Sequence, residues 1–341
     1  MLRLVPGLLA IALLFIPLSA GAAEPCEDPA AIDARGTEFQ FFVENDFLDG
    51  TDRYYTSGLK LGLGTRLDRV AGWLGGAACD WMLKRASDIG GHIHFGLFLG
   101  QNMYTPRSIR ISAPQPFDRP WAAWLYLGGV AQRYEEDTLD TAELDVGMVG
   151  PAALGRQVQT TWHRFVGVQR PLGWSNQLPN EPALMLSYPH KRRYGNDTID
   201  IVPHAGVTVG TVMTLARVGG IVRIGRHFTG FGPDGIEPGG SMLQATRGED
   251  TRGHDDIEWY LFAGGDLRLV ARNMFLDGTV FHESISVDRR NQVHDLTAGF
   301  SLRVKALHFS LTRVHRSEEF TTARRGGGSQ VFDSLNIGYE F

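Results

Sequence analysis

The chain has 341 residues and a net charge of −5, from 33 Lys and Arg against 38 Asp and Glu, which gives no electrostatic reason to bind nucleic acid. Charged residues at 21% exclude a disordered polyelectrolyte, and 43% hydrophobic residues spread without long runs exclude a bundle of membrane helices. Glycine stands out at 42 residues, about 12% against a usual ~7%, which suits a β-rich chain with many tight turns.

Residues 1–23 carry the marks of an export signal. Arg3 precedes an apolar stretch over 4–18, and Ser19-Ala20-Gly21-Ala22-Ala23 supplies small residues, with cleavage expected after Ala22 or Ala23. That stretch is shorter than the ~20 residues of a helical span. The mature part, 24–341, is expected to be one outer-membrane domain. Its two cysteines, Cys26 and Cys79, are exported, so an oxidising compartment permits one disulfide, with two thiols as the alternative.

The mature chain alternates with period 2. In 37–44, Phe39, Phe41 and Val43 oppose Glu38, Gln40 and Glu44. In 93–100, Ile93, Phe95, Leu97 and Leu99 oppose His94 and Gly96. The pattern returns until the last segment, where Leu335, Ile337, Tyr339 and Phe341 oppose Ser334, Asn336, Gly338 and Glu340. Twelve strands are expected, at 36–45, 54–66, 91–101, 119–134, 139–150, 182–192, 198–209, 212–226, 256–270, 292–304, 306–317 and 330–341. Most are ~9–13 residues, the length of a tilted membrane-spanning strand. A sandwich would need a second sheet for every apolar face. Lipid satisfies all of them at once, and closure leaves no edge. The fold class is therefore all-β, a transmembrane antiparallel β-barrel of twelve strands. An even count puts both termini in the periplasm. The terminal Phe341 resembles the last residue of outer-membrane barrels.

Two places depart from alternation. Residues 150–173 read GPAALGRQVQTTWHRFVGVQRPLG, on an extracellular loop of this topology. Val158, Trp162 and Phe165 are spaced i, i+4, i+7, and Gln159 and His163 are spaced i, i+4 on a neighbouring face. A short helix is expected, either one carrying chemistry on the barrel wall or a plain lid with Trp162 packed and His163 at the surface. The second place is Glu44-Asn45-Asp46 with Thr51-Asp52-Arg53-Tyr54-Tyr55-Thr56. Its oxygens suit Ca²⁺, while turn chemistry and an interfacial tyrosine girdle explain the same composition.

The blocks FQFFVENDFLDGTDRYYTSGLKLGLG, GQNMYTP, DRPWAAWLYLG, VGPAALGRQVQTTWHRFVG and GWSNQLPNEP, in this order over about 36–190, resemble the outer-membrane lipid A 3'-O-deacylases. The resemblance implies a twelve-stranded barrel and Ca²⁺-dependent hydrolysis of the 3'-linked acyloxyacyl ester of lipid A. It places the site between the barrel wall and the loop helix. His163 matches the family's catalytic histidine, and Gln159 the glutamine one turn earlier. Asn45 and Asp46 match the Asn-Asp pair ending the first strand, and Thr56 the hydroxyl residue opening the second. These imply His163, Asn45 and Gln159 as catalytic residues and Asp46, Asn45 and Thr56 as metal ligands. Where some members carry a Glu six residues after the histidine, this chain has Gln169. Glu181 is the nearest acid downstream.

Arg107, Arg110 and Arg119 flank the second extracellular loop and suit lipid A phosphates, or a general cationic rim toward lipopolysaccharide. A single barrel in the bilayer, working as a monomer, is the expected assembly. Two other classes compete. A phospholipase-type esterase would set Asn, His and Ser on the barrel exterior, with His308 and Ser310 as the nearest pair. The other is a passive pore.

Overall fold

The computed structural model describes residues 37–46, 50–66, 92–226, 230–233, 257–322 and 327–341. The expected export signal, both cysteines and hence the Cys26–Cys79 pairing lie outside these residues. Twelve long strands follow in chain order: β1 (Glu38–Asn45), β2 (Tyr54–Arg66), β3 (His92–Thr105), β4 (Ala122–Glu135), β5 (Thr138–Val149), β6 (Glu181–Arg192), β7 (Ile199–Gly210), β8 (Met213–Arg226), β9 (Ile257–Asn273), β10 (Gln292–Val304), β11 (Leu307–Arg316) and β12 (Gln330–Glu340). A helix α1 (Gly155–Val166) lies between β5 and β6, and a single turn α2 (Met274–Asp277) follows β9.

Each strand pairs antiparallel with its sequence neighbours, and β1 pairs with β12, so the sheet closes into a twelve-stranded barrel. Closure leaves no strand edge to be satisfied by solvent. The two ends of the described chain meet at one rim, where the Phe341 amide donates to the Thr37 carbonyl at 2.8 Å. Both helices sit at the other rim.

The alternation sorts side chains as expected. Leu97 and Leu127 point outward and are 73% and 68% exposed. Inward-facing Lys60 and Glu143 are buried and joined at 2.9 Å. Lys60 Nζ also lies 4.4 Å from the Phe98 ring centroid. A second lumenal network joins Arg316 and Arg268 to Asp295, and a third joins Arg193 and Arg223 to Asp200. Inside the helix-bearing rim, Phe275 of α2 stacks on Tyr104 at 3.9 Å, with Met274 and Leu276 buried beside it.

Strand ends differ most from the sequence reading at β3, β4 and β9, the last running to Asn273 rather than 270. β3 runs on to Thr105 because outward-facing Gln101 and Met103 are covered by the β5–β6 loop and Thr105 bonds to Thr56 and Asp52, so the polar positions do not mark a strand end. β4 starts at Ala122 rather than near 119, since Pro120 has no N–H for a ladder and Trp121 bridges to Gln177 instead. The turn α2 is an addition that no period in Met274-Phe275-Leu276-Asp277 announces.

Candidate active site

The site forms where α1 lies on the outside of the barrel, its first turn against β4 and its polar face against the loop before β2. Gly155 opens the helix, and a Cβ there would stand 2.5 Å from Ala123 Cβ and 2.6 Å from the Trp174 ring. Only glycine lets helix and wall approach this closely. At the other end Gly167, at φ +76°, forms the left-handed C-cap and returns its N–H to the His163 carbonyl. Beneath the helix, Met103, Ile109, Trp121, Ala123, Ala153 and Trp174 form an apolar platform.

The helix lies the opposite way round from a helix on a water-soluble protein. Its buried side chains are Gln159 and His163, together with Gly155. The apolar stripe faces away from the barrel, with Val158 39%, Trp162 41% and Phe165 49% exposed. This reverses the plain-lid alternative, which had Trp162 packed and His163 at the surface, and turns His163 to the wall, where the family resemblance puts the site.

Four residues form a continuous relay. Trp174 Nε1 donates to Gln159 Oε1 at 2.7 Å, and Gln159 Nε2 donates to Asp52 Oδ1 at 3.0 Å. Asp52 Oδ2 lies 3.2 Å from His163 Nε2. His163 Nδ1 meets the main-chain carbonyl of Gln169 at 2.5 Å. Burial raises the Asp52 carboxyl above its usual range, while the His163 charge and the Gln159 hydrogen bond pull it down. Asp52 was not singled out in the sequence reading. Its only signal there is membership of the polar cluster before β2.

The other expected residues are close by. Asp46 is buried, and its Oδ2 accepts from Thr51 Oγ1 at 2.8 Å and from the Arg53 amide at 2.7 Å. Burial pushes its carboxyl up to about 7, the Asp52 charge adding to the rise against those hydrogen bonds. Asn45 Nδ2 donates to the Thr56 carbonyl at 2.9 Å. Thr56 is the extra residue of a β-bulge between Tyr55 and Ser57, which turns its hydroxyl to within 2.7 Å of Thr105 Oγ1.

These donors are all oxygens, and one is a buried carboxylate whose charged form is disfavoured until a cation neutralises it. That chemistry fits a hard divalent ion such as Ca²⁺. No group of three or more His, Cys, Asp or Glu placed for a metal occurs among the described residues, so the neutral oxygens of Asn45 and Thr56 would be needed.

Two expected site residues, Glu181 and Arg119, stand elsewhere, as do His308 and Ser310 of the competing esterase reading. Glu181 is fully buried and holds the loop after α2, accepting from the Val280 and Phe281 amides at 2.7 and 2.9 Å. The acid beside His163 is Asp52. Arg119 is fully buried, pairs with Glu319 at 3.2 Å and lies 4.8 Å over the Tyr104 ring, so it is not on the rim. Arg107 and Arg110 are exposed on that rim. His308 faces the lumen and its ring meets Ser301 Oγ at 2.9 Å, while Ser310 is buried there too. The pair for a phospholipase-type exterior site is thus inside the barrel.

A family model described as outer membrane protein LpxR matches residues 8–341. Among solved structures, LpxR from Salmonella typhimurium overlays with a TM-score of 0.69 at 21% identity, over 89% of this chain and 100% of that one. The β domain of the Bordetella autotransporter BrkA follows with a TM-score of 0.43 at 14% identity, over 91% of this chain and 99% of that one. A search of curated proteins finds no match. The closed barrel, the helix on its outer wall and the family match over nearly the whole chain agree with the sequence blocks: this chain is an outer-membrane β-barrel that belongs to the LpxR family.

Proposed function

We propose that this barrel is a lipid A 3'-O-deacylase that hydrolyses the 3'-linked acyloxyacyl ester, with Ca²⁺ as cofactor and His163 as general base. Family membership supports the class of reaction. The single observation that carries the residue roles is the orientation of α1, which turns Gln159 and His163 inward onto Asp52, whose carbonyl is tied through Thr105 to Thr56. A lipid substrate reaches that position from the bilayer without leaving it.

Asn45, Asp46 and Thr56 would hold the ion, which supplies positive charge for the oxyanion that develops on the ester carbonyl. Among the described residues the ring of His163 meets Gln169 and Asp52 and no serine, and water is taken as the nucleophile. His163 takes a proton from water as its oxygen bonds to the carbonyl carbon. The proton then passes to the departing 3'-oxygen, giving a free hydroxyl on the sugar and a released acyloxyacyl acid. Gln159 holds the acid beside the histidine rather than touching the ester. Arg107 and Arg110 are placed for lipid A phosphates. In this reading the helix-bearing rim is extracellular, the termini are periplasmic, and one barrel works alone.

The test is mass spectrometry of lipid A after incubation with purified barrel, with Ca²⁺ and with excess chelator. Loss of the 3' acyloxyacyl group only with Ca²⁺ is expected. Lysophospholipid, or no lipid change, would remove the deacylase reading. Full activity in chelator would remove the metal.

A further inference from the structure

The mechanism above uses His163 and Gln159, yet the group that connects them belongs to neither the helix nor the family positions carried over from the sequence. Asp52 sits on the loop between β1 and β2. Its carboxylate meets both helix side chains, Oδ1 with Gln159 Nε2 at 3.0 Å and Oδ2 with His163 Nε2 at 3.2 Å. Its own carbonyl accepts from Thr105 Oγ1 at 3.4 Å, tying the same residue to the wall. Asp52 holds φ at +44° and Tyr54 at +66°, both left-handed without being glycine. Such conformations cost about 1–3 kcal/mol each and persist where the surroundings over-determine them, as at functional sites.

We propose that Asp52 is the positioning residue of His163 in this chain, filling the part left open by the absence of an acid at Gln169. The Gln169 main-chain carbonyl fixes the proton on Nδ1, which leaves Nε2 as the basic nitrogen. The Asp52 carboxylate lies along that basic edge. As Nε2 takes the proton from water, the Asp52 carboxylate 3.2 Å away offsets the positive charge of the imidazolium and leaves the lone-pair direction open to the water. The proton next goes to the departing 3'-oxygen, and Asp52 stays ionised throughout. Gln159, itself held by Trp174, keeps the carboxylate from swinging away.

The proposal rests on His163 being the base, so two readouts are needed. The first is kinetics on lipid A. Asp52→Asn keeps the shape and drops the charge, so kcat should fall about 100-fold while KM moves less than about twofold. Asp52→Glu should recover to within about tenfold of the native rate. An unchanged kcat in Asp52→Asn overturns the proposal, as does an equal loss in both variants with KM rising in step. Barrel assembly is followed by heat-modifiable migration; if Asp52→Asn does not assemble, Asp52→Glu decides by the second readout. That readout is nitrogen NMR of histidine-labelled barrel in micelles, which needs no turnover. The His163 Nε2 signal should move in Asp52→Asn and Asp52→Glu, and stay in Glu136→Gln at the opposite rim. A signal that does not move overturns the positioning role even where deacylation is intact. If lipid A is untouched by the native barrel and the signal still moves, the deacylase reading falls and the positioning stands.

Discussion

His163 is held from both sides, by the Gln169 main-chain carbonyl at Nδ1 and by the Asp52 carboxylate 3.2 Å from Nε2. His163→Ala should leave the barrel assembled, because the residue lies outside the strand ladders. It should lower deacylation by at least about 100-fold, measured as 3' chain release by purified barrel at matched Ca²⁺. Asp46 gives a second outcome at this scale. Its carboxyl stands at about 7 without a cation, so below that pH a proton competes with Ca²⁺ for it. The Ca²⁺ concentration for half-maximal activity should therefore rise by about tenfold from pH 8 to pH 6. A flat half-saturation across that range would remove Asp46 as a ligand. What the sequence discloses here follows chain spacing. Gln159 and His163 pair by i, i+4, and Asn45 and Asp46 are adjacent. Asp52 and Arg119 were not readable as they stand, since a loop aspartate meeting a helix 107 residues away, and an arginine paired with Glu319 200 residues on, leave no trace in local spacing.

The helix α1 shows what an apolar stripe does and does not say. Its spacing gives the helix and its phase, and both appear. The side that faces the barrel depends on the surrounding medium, which a sequence does not print. With lipid outside, the stripe of Val158, Trp162 and Phe165 stays outward and the polar face turns to the wall. The seating depends on Gly155. A Cβ there would enter Ala123 and the Trp174 ring, so Gly155→Ala should lift the first turn from the wall. The expected result is a loss of kcat of about tenfold or more with normal heat-modifiable migration, because a misplacement near 1 Å costs ~100-fold at an aligned site. Unaltered turnover in Gly155→Ala would mean that the helix tolerates the shift and that its close seating is not needed for chemistry. The strands were easier to read than the helix's facing, because alternation and burial report the same axis in a barrel.

Across the whole molecule, the lumen is occupied rather than open at the helix-bearing end. Phe275 on Tyr104, and Lys60 with Glu143, Phe98 and Tyr126, fill the space between the strands. The pore reading therefore gives a clear expectation: in planar bilayers the native barrel should show no large steady conductance, and removal of 274–286 should raise it. Glu143→Gln should destabilise the barrel by about 1–3 kcal/mol, because it removes the carboxylate that Lys60 meets at 2.9 Å and leaves a weaker neutral acceptor. A lower temperature for loss of heat-modifiable migration is the readout. The lumenal contents were legible as polar positions in each strand. Which charge meets which depended on closure and register, and those are properties of the assembled ring.

The outward stripe makes the surrounding fluid act as a latch. In water, three large apolar side chains, each a little under half exposed, would gain about half of the ~1.5–3 kcal/mol of full burial by turning inward, and rolling α1 about its axis would swing His163 off the wall. A barrel chain crossing an aqueous compartment thus has no reason to keep this face of α1 closed, and under the proposed function hydrolysis would be confined to the hydrophobic film that holds the lipid substrate. Fluorescence of Trp162 in vesicles should be quenched by brominated acyl chains, and that component should vanish in Trp162→Phe. Quenching by aqueous iodide instead would place the stripe in water and leave the latch without a hold.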